Sequence, residues 1–308
     1  MGTPDFAIPS LNILNDDPEI NIKSVITQPD RKKGRGQKVL PSPIKKIAQK
    51  MNLSVFQPLN VNSNDSLEYF KNINPDLIIV VAYGQKLSKK LLDLPKYGCI
   101  NLHASLLPKY RGSSPIHMAI INGDDVSGVT TMFMNEGLDT GDIIYQKKLK
   151  IKDEYTVGEF HDKLANIGAN LLLETTKNII NGVAPKFKQN ENDASYSSKL
   201  DKKIGKINWN KSAIEIFNLV RGVNPWPGAY TYFRGDLLKI WEVDYDLGIN
   251  NYNSNYGEII KVLDNKGIFV NTSNGVINII TLQLAGKRRM NFKDFIHGYH
   301  IEIGEKFN

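Results

Sequence analysis

The sequence has a single cysteine, Cys99, among 308 residues. One thiol cannot form an internal disulfide, and it excludes any zinc site that needs two or more thiolates. A reducing cytoplasm is the simple reading of that scarcity. Long apolar runs are missing too: no stretch reaches the ~18 residues of a membrane span. The opening MGTPDFAIPS has no basic segment leading into an apolar one, so no secretory leader is expected. No internal repeat or low-complexity tract is found. Acidic residues are the minority, 32 against 39 Lys and Arg, which leaves a net charge of +7. That balance favours an anionic partner such as nucleic acid, but many soluble enzymes share it, so the placement of the charge decides more than its sum.

What is present has a clear order. Residues 1–182 alternate strand-like and helix-like segments, the pattern of a mostly parallel, Rossmann-like α/β sheet. SVITQPD (24–30) reads as a strand entering a loop, and SPIKKIAQKMN (42–52) as a helix capped by Ser42. After a helix at 66–74, PDLIIVVAYG (75–84) is apolar almost throughout, as in a strand covered on both faces. GCINLHASLLPKYRG (98–112) begins as another strand, followed by a helix near 114–123 and the strand VSGVTTMFM (126–134). Residues 156–182 form a long helix, with Thr156 and Glu159 in a capping-box pattern and Gly182 as its stop. Residues 183–202 are polar and aperiodic and read as a linker. Residues 203–308 hold one helix and five short β-like runs with tight turns, which suits a small OB-like barrel.

Within the strand that opens GCINLHASLLPKYRG, alternation places Asn101 and His103 on one face, where buried polar groups cost free energy unless they find partners. In open α/β sheets the ligand crevice lies beyond the carboxyl ends of the strands. AYG (82–84) ends one strand, Asn101 and His103 end the next, and EGLDTGDI (136–143) follows a third, so Asp139 is expected to face His103. An amide, an imidazole and a carboxylate supply an oxyanion donor, a proton shuttle and an orienting group. No serine is placed as a nucleophile, and Cys99 reads as a small buried apolar residue. The trio therefore suits direct transfer between two bound substrates. An unreactive reading stays open: Asn101 caps a turn, His103 is a satisfied interior histidine, and Asp139 makes a turn with Gly141.

The charge gathers in two places. Residues 28–46 carry Arg31, Lys32, Lys33, Arg35, Lys38, Lys45 and Lys46 against one acid, Asp30, and Gly34 and Gly36 are expected to leave this loop mobile. Lys203, Lys206, Lys287, Arg288 and Arg289 form a second basic track in the C-terminal part. GRGQK (34–38) lacks the spacing of a phosphate loop, and His297 and His300 have no third metal ligand nearby, so a surface turn is expected there.

MGTPDFAIPSL, ITQPDRKKGRGQKVLPSPIK, NPDLIIVVAYGQKL, GCINLHASLLPKYRGSSPIHMAIINGD and NEGLDTGDI resemble the 10-formyltetrahydrofolate-dependent formyltransferases. The likeness continues through KINWN, VRGVNPWPGAY and AGKRRM, and the basic segments point to the branch acting on initiator methionyl-tRNA. The resemblance implies that Asn101, His103 and Asp139 are catalytic. It implies folate contacts at Ala82, Tyr83, Gly84, Ser105, Leu106, Leu107, Pro108 and Asp142. Arg31, Lys32, Lys33, Arg35, Lys38, Lys203, Lys206, Lys287, Arg288 and Arg289 would contact tRNA, with Arg35 foremost. 10-Formyltetrahydrofolate is the implied co-substrate, with no metal and no ATP, in a monomer. The family has a short apolar strand before MGTPDF, where this chain begins, so a gap in the sheet is expected. The alternatives are a formyltransferase for a small amine such as an amino-sugar nucleotide, which has no use for the basic loop, and a formyltetrahydrofolate hydrolase. A non-enzymatic RNA-binding protein would not need the trio.

Overall fold

The structure, a computed structural model, describes residues 1–33, 36–249 and 254–308. The chain divides into two compact units. The first comprises Met1–Pro115, Val126–Lys150 and His161–Ser197, and the second Ile116–Asp125, Ile151–Phe160 and Ser198–Asn308.

The chain runs through α1 (Ile8–Asp16), β1 (Val25–Ile26), β2 (Arg31–Lys33), β3 (Lys38–Leu40), α2 (Pro43–Lys50), β4 (Val55–Phe56), α3 (Asn64–Ile73) and β5 (Ile78–Val80). Then come α4 (Lys89–Leu92), β6 (Cys99–His103), β7 (Arg111–Gly112), α5 (Pro115–Ile121), β8 (Val126–Phe133), β9 (Ile143–Lys150), α6 (Val157–Ile180) and β10 (Tyr196–Ser197). In the first unit β1 pairs parallel with β4, and β5 with β6, but β8 joins β6 antiparallel and β9 joins β8 antiparallel. The parallel pattern expected from the sequence thus stops at β6. β9 escapes the sequence pattern because IIYQKKLK carries lysines on a largely solvent-facing edge, where charge discourages pairing with another chain.

The expected interruption lies between β1 and β5. Met1 and Gly2 connect the two ladders: Met1 donates to the Ile79 carbonyl at 2.6 Å, Val81 donates to the Met1 carbonyl at 2.9 Å, and Gly2 donates to Ile26 at 3.0 Å. A cavity of about 370 Å³ beside them is lined by apolar side chains including Leu11, Ile26, Ile44, Phe70 and Ile78. Burial pushes the Met1 α-amine down to about 5.

Residues 183–197 were expected to be a linker, yet they belong to the first unit. Their polarity has a different cause: they hydrogen-bond to loops there, β10 pairing with β7, and present no apolar face.

The second unit contains α7 (Ala213–Gly222), β11 (Ala229–Phe233), β12 (Asp236–Asp246), β13 (Ile259–Leu263), β14 (Gly267–Asn271), β15 (Val276–Leu284), β16 (Met290–Asn291) and α8 (Phe292–Gly298). Its strands pair antiparallel in the order β11-β12-β15-β14-β13, around a core that includes Ile216, Val220, Ile240, Ile279 and Phe295. The barrel expected from the sequence does not close: among the described residues no ladder joins β11 to β13. The last residues occupy both edges instead. Asn308 exchanges hydrogen bonds with Tyr232 of β11 at 2.9 and 3.0 Å, while Phe307 donates to Gly257 at 2.9 Å and Ile259 of β13 donates to Glu305 at 2.8 Å. Five short strands with tight turns do not reveal whether a sheet closes on itself or through a tail.

Two helices carry capping boxes. The Glu159 carboxylate accepts from the Thr156 N–H at 2.9 Å, and Glu215 accepts from the Ser212 N–H at 2.9 Å and hydroxyl at 2.7 Å. Lys211, then the Ser212 groups, hold the Glu215 carboxyl down to about 2, from 4.5. A carboxyl whose folded value is lowered adds stability that is full above about 4.5 and disappears as pH falls through about 2. Ser212→Ala is expected to cost ~1 kcal/mol at neutral pH. The loss caused by Glu215→Ala should shrink as pH is lowered from about 4.5, measured by urea unfolding. A loss independent of pH over that range would show that the carboxylate contributes nothing.

Candidate active site

All five residues of β6, Cys-Ile-Asn-Leu-His, are buried between β5 and β8. Strand alternation turns Asn101 and His103 to the same face, where they are 8% and 6% exposed. His103 Nε2 lies 2.9 Å from the Tyr110 carbonyl oxygen. A carbonyl only accepts, so Nε2 carries the proton and Nδ1 is the basic nitrogen of the neutral ring. Nδ1 faces Asp139 Oδ2 at 3.7 Å, outside hydrogen-bond range. Tyr110 therefore sets the tautomer, the role expected of Asp139. The Asp139 carboxylate accepts instead from the Gly112 N–H at 2.8 Å. The Asn101 side chain makes no hydrogen bond among the described residues, whereas a turn cap or a satisfied interior amide would make one. The amide is thus left free on the same side as the imidazole.

The route by which Asp139 arrives differs from the expected one. β8 runs antiparallel to β6, so its end at Phe133 lies beside Ile100, while His103 lies beside Thr130. The loop at 135–142 turns back instead, with Asn135 Oδ1 accepting from the Gly137 N–H and the Thr140 hydroxyl, both at 2.9 Å. Ala82, Tyr110 and Asp139 all hold positive φ, at 48°, 58° and 54°. Backbone strain of this kind costs ~1–3 kcal/mol per residue and concentrates where geometry serves function. Gly112 has φ 107°, and a Cβ there would run into the Ser197 carbonyl. Residues 195–197 strap this turn down: Ser195 Oγ accepts from Tyr110 N at 2.9 Å, and the Ser195 carbonyl accepts from Arg111 N at 2.8 Å.

Of the segment matched to folate, Ala82 and Gly84 are exposed and the Tyr83 ring is buried. Burial pushes the Tyr83 phenol up to about 12, and its hydroxyl has no partner. The Tyr83 carbonyl accepts from the Thr3 hydroxyl at 2.8 Å. Ser105, Leu106, Leu107 and Pro108 form the turn leaving β6. Ser105 Oγ donates to Lys109 O at 2.6 Å, and Leu107 N donates to Thr130 Oγ1 at 3.1 Å. Asp142 lines a cavity of about 720 Å³ with Cys99, Lys96 and Lys186. Cys99 is buried, and burial pushes its thiol up to about 12, which suits the inert role expected of it.

Part of the basic loop is an antiparallel hairpin, β2 with β3, in which Lys33 pairs with Lys38 and Arg31, Lys32 and Lys38 are exposed. Arg35 lies outside the described residues. At the base, Gln57 and Lys45 each reach Asp30 at 2.7 Å and hold its carboxyl below the usual carboxylate range. In the second unit Lys203, Lys206, Lys287, Arg288 and Arg289 are all exposed. Arg289 stacks on Trp241 at 3.8 Å, Lys239 lies 5.0 Å from that ring, and Lys206 lies 5.7 Å from the Tyr232 ring. Lys239 and Trp241 were not singled out from the sequence, although the alternation in LLKIWEV puts them on one face. His297 and His300 are both exposed.

The formyl transferase family model matches residues 2–176, and the formyl transferase C-terminal domain model matches residues 199–300. The chain belongs to the formyl transferase family. It is 54% identical to the methionyl-tRNA formyltransferase of Halothermothrix orenii over 99% of this chain and 98% of that one. With the methionyl-tRNA formyltransferase of Clostridium tetani it shares 48% identity over 99% and 97%. Among solved structures, the sugar 3N-formyl transferase WlaRD shares the fold at a TM-score of 0.68 and 22% identity, over 93% of this chain and 97% of that one. An N-formyltransferase from Helicobacter canadensis does so at 0.66 and 22%, over 90% and 97%.

Gly112 carries the densest demand in this site, supplying both a positive φ and the N–H that holds Asp139. Gly112→Ala is expected to cost ~1–3 kcal/mol of stability and to lower turnover beyond what the lost fold explains. Activity per folded molecule equal to the parent's would show that the conformation of this turn does not matter to the chemistry.

Proposed function

We infer that the protein transfers the formyl group of 10-formyltetrahydrofolate to the α-amine of methionine on initiator tRNA, giving N-formylmethionyl-tRNA for translation initiation. The observation that carries this reading is the match to methionyl-tRNA formyltransferases over 99% of the chain, through both family models. The sugar formyltransferases share the fold at 22% identity, which does not extend to their acceptor.

The chemistry is read onto Asn101, His103 and Asp139. A free α-amino group titrates at about 7.7–8.0, so modest base assistance yields the neutral nucleophile. As nitrogen attacks the formyl carbon, the new C–N bond forms and the carbonyl oxygen gains charge, which the unpaired Asn101 amide can stabilise by donation. With Nε2 bonded to Tyr110, Nδ1 is the nitrogen that takes the amine proton, with the Asp139 carboxylate 3.7 Å away to favour the charged ring. The same proton passes to folate N10 as its bond to the formyl carbon breaks. Ala82, Tyr83 and Gly84 with the turn Ser105–Pro108 are assigned to the folate, and Asp142 less directly so. Arg31, Lys32, Lys33, Arg35 and Lys38 are assigned to the acceptor end of the tRNA. In the C-terminal part Lys203, Lys206, Lys287, Arg288 and Arg289 are assigned to its backbone, joined by Lys239 beside Trp241. An OB-like module, completed by the C-terminal tail, is the fold we assign to that part. No helix among the described residues is long and apolar enough to cross a membrane. The working form is read as a cytoplasmic monomer, with residues 1–182 and the strap at 183–197 as catalytic domain and 203–308 as tRNA-binding domain.

The test is formyl transfer from 10-formyltetrahydrofolate to methionyl initiator tRNA, beside a dTDP-amino sugar as competing acceptor. Transfer to the sugar and none to tRNA would overturn the assignment. Asn101→Ala is expected to lower turnover ~10²–10³-fold, and His103→Ala to abolish it, with tRNA binding spared in both. Arg35→Ala should weaken use of tRNA, leave folate binding unchanged, and flatten the salt dependence of tRNA binding. Unaltered tRNA kinetics in that variant would remove the loop from the tRNA site.

A further inference from the structure

Gln189 lies 50 residues after Asp139 in a polar stretch with no sequence motif, yet its side-chain amide holds the Asp139 loop directly. Gln189 Nε2 donates to the Asp139 carbonyl and to the Gly141 carbonyl, each at 2.8 Å. Its Oε1 accepts from Arg111 Nε at 3.1 Å and Nη2 at 2.9 Å. Both donors and both acceptor positions of the amide are therefore used. Arg111 is anchored in turn. Its side chain is fully buried, and beyond Gln189 it forms a two-pronged pair with Glu191 at 2.8 Å for each prong and donates to the Tyr196 hydroxyl at 3.1 Å. All five guanidinium N–H groups have acceptors.

We propose that Gln189, held by Arg111, is a positioning residue for Asp139: it fixes the carbonyls of Asp139 and Gly141 and so keeps the Asp139 carboxylate opposite His103. The inference rests on the catalytic reading of Asp139 given above. The geometry makes the amide specific to the task. Asp139 holds φ 54°, a left-handed conformation at the bend of its loop, and the single amide of Gln189 ties together the two carbonyls on either side of that bend. The Gly112 N–H fixes the carboxylate end, and Gln189 fixes the backbone end. Releasing the backbone end lets the carboxylate shift, and a displacement of ~1 Å in a catalytic group can cost about 10²-fold in rate.

Two substitutions separate positioning from simple support. Gln189→Glu keeps an acceptor for Arg111 but removes both donors to the loop. Gln189→Met removes donors and acceptor at similar volume and adds no charge. Each is expected to lower kcat ~10–100-fold, with far smaller changes in KM for 10-formyltetrahydrofolate and for methionyl-tRNA. Combined with Asp139→Ala, neither should slow the enzyme further. A residue that merely supported the fold would lower the amount of folded protein, leave kcat per folded molecule intact, and be rescued by Gln189→Glu through its bond to Arg111. Should Gln189→Met not fold, Gln189→Glu alone decides the matter. Should Asp139→Ala keep the parent's kcat, the catalytic reading of Asp139 falls, and the positioning role falls with it. Should Asp139→Ala be slow while the folded Gln189 variants keep the parent's kcat, or should the double variants show additive losses, the positioning role alone is overturned.

Discussion

The first unit is organised around one buried charge. Arg111 has no exposed surface, and an isolated cation in that position would cost several kcal/mol. The cost is offset because every donor of the guanidinium is used, and using them all requires Gln189, Glu191 and Tyr196 to lie where they do. Pairing with Glu191, then the bond to Tyr196, holds the guanidinium charged, and the same pair holds the Glu191 carboxyl below its ordinary range. A stretch that has little apolar surface to bury is thus tied to the turn after β6. That turn in turn supplies Tyr110 to His103 and Gly112 to Asp139.

This dependence explains which features the sequence made legible. Alternation along CINLH places Asn101 and His103 on one face because strand geometry is local, and the structure shows both buried there. The apolar run at 77–81, the capping boxes at Thr156 and Ser212, and the short strands of the second unit are local signals of the same kind. Residues 183–197 carry no such signal. Their bonds reach partners about eighty residues earlier, as between Arg111 and Glu191 (|i−j| = 80), and nothing in their composition distinguishes a strap from a linker. The orientation of β8 was equally hidden, since a strand of eight residues reads the same in either direction. Asp139 was found through a premise about parallel strands that the structure does not keep, and the folded-back loop brings it to His103 by another route.

Backbone strain sharpens the picture of the site. Tyr110, a bulky residue, adopts positive φ, and so does Asp139, a residue type that tolerates it. Their strain persists because hydrogen bonds over-determine them: Ser195 Oγ on the Tyr110 N–H, and Gln189 and Gly112 on either end of Asp139. Pre-organisation of this kind is bought with stability elsewhere in the fold. It also suits a reaction that passes through no covalent enzyme intermediate, because the groups must already be in place when two substrates meet.

The division between chemistry and acceptor follows from the same arrangement. Asn101, His103 and Asp139 belong to β6 and a loop packed against it, and the proton shuttle and oxyanion donor that we assign to them would serve any amine. Nothing in that trio distinguishes a sugar amine from an aminoacyl one. Discrimination must then come from surfaces that touch the acceptor away from the reacting nitrogen. The exposed hairpin of β2 and β3, and the cations around Trp241 and Tyr232, are the surfaces we assign to that task. They put positive charge on display, with Arg289 over the buried Trp241 ring and Lys206 beside the half-buried Tyr232 ring, which suits a large polyanion. A small amine leaves such surfaces idle, so the residues that select tRNA need not include any that move the formyl group.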